Sequence, residues 1–173
     1  TQPLSLASSM KLLHQLLLNP AFSSSDFSIQ KNQLQAAIRY QKQKPNALAL
    51  MAFFQSLYGP YSYAHSPKGS LQTVSAITTD SVRDFYQQYY VARNAKLILV
   101  GNLTAKKARE WSSMLLADLP AGQKAKALPP VAPIKHPDSE VIPFPSKQSS
   151  IVLGQLGITR ESPDYFAYMV GNH

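Results

Sequence analysis

The chain has 173 residues, 45% of them hydrophobic and 15% charged. That composition excludes an intrinsically disordered segment and fits one ordinary domain or parts of two small ones. Lys and Arg number 17 against 9 Asp and Glu, a formal net charge of +8; the basic residues are scattered, as on a soluble basic surface, and not massed as in a nucleic-acid-binding arm. Cysteine is absent, which excludes disulfides, zinc knuckles and thiol nucleophiles.

In chain order, Leu6, Met10, Leu13 and Leu17 recur at helical spacing, and Pro20 stops the helix they predict. The apolar run Leu12–Leu18, interrupted by His14 and Gln15, is too short to span a bilayer. Residues 1–10 lack the basic start and small-residue cleavage site of a signal peptide. Ser25 and Asp26 predict the cap of a second helix, which runs to about Gln43 with Phe27, Leu34 and Ile38 on one stripe and ends at Pro45. A third helix is expected from Asn46 to about Leu57, burying Leu48, Met51 and Phe54 or their neighbours, followed by a turn-rich loop over Tyr58–Tyr63.

Thr79-Asp80-Ser81 opens a fourth long helix with Val82, Phe85, Tyr86 and Tyr89 facing inward, and Asn94 breaks it. The continuous apolar run Lys96–Val100 predicts a strand buried on both faces. Thr104 caps a further helix carrying Ala108, Trp111 and Leu115. Residues 119–138 hold five prolines, at 120, 129, 130, 133 and 137, with almost no apolar periodicity, and read as a stiff, extended linker. Beyond it, Glu140–Phe144 and Ser150–Leu156 predict two strands, and Ser162-Pro163-Asp164 starts a last helix. The expected fold class is α+β, a mixed sheet with helices packed on it. The expected organisation is the later part of a first domain over 1–118, a linker over 119–138, and the opening of a second, related domain over 139–173.

The words at the joints of these elements carry a resemblance. They are Leu18-Asn19-Pro20-Ala21-Phe22, the Leu57-Tyr58-Gly59…Tyr63-Ala64…Gly69 loop, Ile77-Thr78-Thr79-Asp80…Phe85-Tyr86…Tyr89-Tyr90, Asn94-Ala95…Val100-Gly101-Asn102, and Gly154…Gly157…Arg160…Pro163-Asp164-Tyr165. No one of them is specific, but their succession across nearly the whole chain resembles the pitrilysin/insulinase metallopeptidases, also called inverzincins. The resemblance implies two related α+β domains forming half of a clamshell around an extended peptide. It also implies that active relatives bind zinc through His-x-x-Glu-His, whose Glu is the base, together with a downstream Glu. By that register the chain begins after the place of His-x-x-Glu-His. The helix of the downstream Glu is present, and Ala37 stands at the matching position. No Asp or Glu lies between Asp26 and Asp80; a methyl group cannot ligate zinc, and Gln33 or Gln35 would replace a carboxylate poorly. The loop also departs from the family's frequent His-Pro, with Tyr61-Ser62 in its place.

The remaining candidates favour ordinary roles. His14, His65, His136 and His173 are far apart in sequence, with no ligand spacing among them. The Lys31, Arg39, Lys42 and Lys44 face reads as solvated. Tyrosines 58, 61, 63, 86, 89 and 90 could stack on bases, but those in the helix read as core. Gly101-Asn102 lacks the further glycines of a phosphate loop. The sequence thus predicts no catalytic residue and no metal site or cofactor in this chain, with zinc confined to active relatives. The favoured function is a non-catalytic subunit or region that shapes a peptide-binding chamber. The alternative is a fragment of an active zinc peptidase whose motif precedes residue 1; a third reading, a basic nucleic-acid-binding module, would show strongly salt-dependent affinity. The expected partners are a peptide or protein substrate and either a related catalytic subunit or further copies of the chain, with no nucleic acid and no membrane span.

Overall fold

The computed structural model describes residues 3–172. Its α-helices are α1 (Pro3–Leu18), α2 (Ser24–Gln41), α3 (Pro45–Tyr58), α4 (Leu71–Ala76), α5 (Thr79–Tyr89), α6 (Ala105–Leu116) and α7 (Tyr165–Gly171), with 3-10 turns at Ser62–Ala64 and Ala92–Asn94. Two compact units form, one from the residues up to Asn32 with Ser75–Leu128, the other from Gln33–Val74 with the residues from Pro129 on.

In the first unit the helix starts follow local hydrogen bonding. Ser23, not Ser25, opens α2: its Oγ accepts from the Asp26 N–H and donates to the Asp26 carboxylate. The α5 start is a reciprocal capping box, Thr78 Oγ1 accepting from Ser81 N–H and Ser81 Oγ from Thr78 N–H. Thr104 caps α6 by accepting from Lys107 N–H. Helices α1 and α6 pack together, with Met10 and Leu115 buried, Leu115 to 2% exposure. The His14 ring lies in this unit between the Leu115 carbonyl at 3.5 Å and the Asp118 carboxylate at 3.4 Å.

Asn94 does more than break a helix. Its Oδ1 accepts from Ala125 N–H at 2.8 Å, and its Nδ2 donates to the Tyr89 and Gln123 carbonyls. Together with Ala92 N–H to Pro120 O and Arg93 N–H to Ala121 O, this holds the start of the Pro-rich stretch against the turn at Ala92–Asn94. Gly122 sits in this contact at φ +57°, where an added Cβ would lie 2.3 Å from Val91 Cβ.

The second unit is built on α3, whose entry is Pro45 at the first helical turn, the position where a missing N–H costs nothing. Pro45 therefore ends one helix and begins the next. Ala52 is buried while Phe54, expected inside, is partly exposed and stacks on Tyr58, which meets Tyr63 from the turn at Ser62–Ala64. Gly154 brings the segment 150–156 against Phe53, and Ser56 donates to the Asp138 carboxylate at 2.7 Å.

The expected α+β fold with a mixed sheet does not form. Among the described residues all regular structure is helical and no strand pairs with another. Lys96–Val100, Glu140–Phe144 and Ser150–Leu156 contain no helix or strand and are largely uncovered, with Ile98 at 82%, Val100 at 91% and Leu153 at 95% exposure. A run of apolar residues encodes a preference for burial, but a strand exists only where a neighbour takes its N–H and C=O groups. The same correction reaches α5. Val82 and Tyr86 are half-buried, whereas Phe85 and Tyr89 lie exposed and pack on each other at 4.7 Å.

Candidate functional site

The residues that zinc chemistry would require do not converge. Ala37 lies half-buried on α2, next to the buried Ile38. His65 and His136 are exposed, His14 is engaged with α6, and His173 lies outside the described residues. Among the described residues no three His, Cys, Asp or Glu side chains group as a metal site would need. The donor set does not fit zinc. Gln33 is exposed and Gln35 half-buried, and neither amide supplies the negative charge that a carboxylate ligand contributes.

The basic face of α2 is also less free than its sequence suggests. Lys31 Nζ donates to the Ser75 and Ile77 carbonyls, each at 2.8 Å, and lies over the Phe27 ring. It ties α2 to the approach of α5 within the first unit. Lys44 lies over the Tyr40 ring at 4.6 Å. These cations are committed to the fold, which weakens the case for an anionic partner along this helix. Among the described residues no helix is long and apolar enough to cross a membrane.

A concave feature of the first unit is an open groove of about 670 Å³ along α5. Its floor is the face carrying Arg83, Tyr86, Gln87 and Tyr90, which recur at the i, i+3, i+4, i+7 spacing of one helical face. One wall is the segment Leu18–Phe22; the other is Asp118 and Pro120. Phe22 has φ +44°, a left-handed conformation that costs energy for a residue with a Cβ, and its ring meets Tyr86 edge-on at 5.5 Å. The Tyr86 hydroxyl donates to the Leu17 carbonyl. Burial, and after it the adjacent Tyr90 phenol, pushes the Tyr86 hydroxyl above the ordinary tyrosine value of about 10. Its proton therefore stays in place through neutral pH. Arg83 spends one N–H on Asp80 at 2.9 Å and keeps the others. Periodicity alone does not disclose this groove, because its walls come from three distant stretches of chain. The nearest signal is the pair of words Leu18–Phe22 and Phe85–Tyr90.

Comparison with known proteins places this geometry in context. Residues 76–173 match the peptidase M16 inactive domain family. The crystal structure of a peptidase M16 inactive domain from Pseudomonas fluorescens aligns with a TM-score of 0.69 at 31% identity, over 72% of this chain and 30% of that one. An uncharacterized zinc protease of Rickettsia felis is 22% identical over 120 residues, 69% of this chain and 29% of that protein. The probable zinc protease PqqL of Escherichia coli is 35% identical over 60 residues, 35% of this chain and 6% of that protein. The chain thus spans less than a third of the length of each of these relatives.

Proposed function

The chain belongs to the peptidase M16 family of insulinase-type proteins, in its inactive-domain group, and from that membership we propose that it is a non-catalytic region that helps shape a chamber for an extended peptide. The observation that carries the reading is the vacant ligand position, with Ala37 where the resemblance calls for a carboxylate and no acidic residue between Asp26 and Asp80. A chain without that ligand contributes surface, not hydrolysis. In this reading residues 1–118 are the later part of one domain, 119–138 a linker, and 139–173 the opening of a related domain. Its partners are the substrate peptide and a related catalytic subunit or further copies of itself.

A second reading is favoured by the names of two relatives, both zinc proteases. In it the parent polypeptide is active and its His-x-x-Glu-His precedes Thr1. The residues encoded before Thr1 separate the two.

Metal analysis of the purified chain after dialysis tests the non-catalytic reading. Zinc is expected far below one equivalent, because the chain has no cysteine and no grouped set of histidines and carboxylates occurs among the described residues to retain it. One tightly held equivalent per chain would contradict the reading.

A further inference from the structure

The words Leu18–Phe22 and Phe85–Tyr90 have no part in the argument from Ala37, yet residues from both line the groove along α5. Its chemistry is bipolar. Pro120 is fixed beside the end of α5 by accepting the Ala92 N–H, which puts Asp118, two residues earlier, at the Tyr90 end. Arg83 marks the opposite end. Arg83 and Tyr90, which caps α5, are seven positions apart, about 10 Å at 1.5 Å per residue. Between the charges lie the rings of Phe22, Tyr86 and Tyr90, with the Gln87 amide on the same helical face.

We propose that this groove binds short free peptides of about three residues, the ammonium terminus at Asp118 and the carboxylate terminus at Arg83. Three extended residues span about 10 Å, so the two terminal charges of a tripeptide meet the two side-chain charges of the groove. Both ends remain available: His14 engages one Asp118 oxygen, and Asp80 engages one Arg83 nitrogen. Gln87 can serve the peptide backbone, and the rings cover a central side chain of apolar or aromatic character. Peptides with both termini free are what peptide hydrolysis releases. The assignment deepens the peptide-chamber reading and rests on it for the class of ligand. The left-handed Phe22 holds one aromatic wall in place, as strained residues at ligand clamps do.

The test is an NMR titration of the labelled 173-residue chain with Ala-Tyr-Ala, its N-acetylated form and its C-amidated form. A long peptide blocked at both ends is run alongside. The free tripeptide is expected to shift signals of Phe22, Arg83, Gln87 and Tyr90. Each block is expected to weaken binding by about fivefold, the scale of one solvent-exposed charge pair. Arg83→Gln should abolish the cost of amidation and leave the cost of acetylation, and Asp118→Asn the reverse. Should Asp118→Asn disturb the fold through His14, the Arg83→Gln arm still decides. Blocked tripeptides that bind as well as the free one, or shifts confined to other residues, would overturn the assignment. Binding of the long blocked peptide alone would also overturn it while leaving the chamber intact. Binding of the free tripeptide alone supports the groove and removes the chamber.

Discussion

Leu115→Ala is expected to lower the stability of the first unit by about 2–5 kcal/mol, the range for a large-to-small change at a buried leucine. Leu115 is the most completely buried large side chain among the described residues, and it lies where α6 packs on α1. Its own carbonyl receives the His14 ring, so a collapse of the site would also loosen that contact. Trp111, on the same helix and the chain's single tryptophan, makes urea unfolding by fluorescence a direct reporter. The midpoint should fall with little change in slope. A midpoint unchanged within error would mean that the α1–α6 contact does not hold the unit together.

Gly122→Ala is expected to cost about 2–4 kcal/mol through two separable causes, a left-handed backbone and an overlap with Val91. Gly59 differs from it: at φ +53° and ψ −116° it lies outside the left-handed helical region, and an added Cβ there meets nothing within 4 Å. Gly59→Ala should therefore carry a backbone cost alone, about 1–3 kcal/mol. At Gly122 the added overlap reports the close approach of the Pro-rich stretch to the turn beside Asn94. Circular dichroism during urea unfolding checks this, and a Gly122→Ala loss below about 1 kcal/mol would show that residues 120–125 are not held there.

What could be read from the sequence was what is local. The Leu6, Met10, Leu13, Leu17 spacing located α1, Pro20 stopped it, and Thr104 capped α6 as expected. Each of these signals acts within one or two turns of chain. The short α4 escaped notice because its start is set by Ser70 and Thr73 bonding each other reciprocally, which apolar spacing does not disclose. The sheet was misread because the hydrophobicity of Lys96–Val100 speaks for burial and is silent about a partner. The resemblance itself was legible, carried by the order of the joint words. The groove was not, since Leu18–Phe22, the α5 face and Asp118 meet only through tertiary packing. Asn94 shows the same limit: a helix breaker in sequence, it spends its side chain on residues 29 and 31 positions away.

The non-catalytic peptide-chamber account meets its most direct test in one assay. A long, fluorescently labelled, unstructured peptide is added to the dialysed chain, its anisotropy followed, and its mass measured after zinc is supplied in excess. The expected result is saturable binding, unaltered by zinc, with the peptide recovered intact. Absence of binding, or cleavage that a chelator stops, would contradict the account.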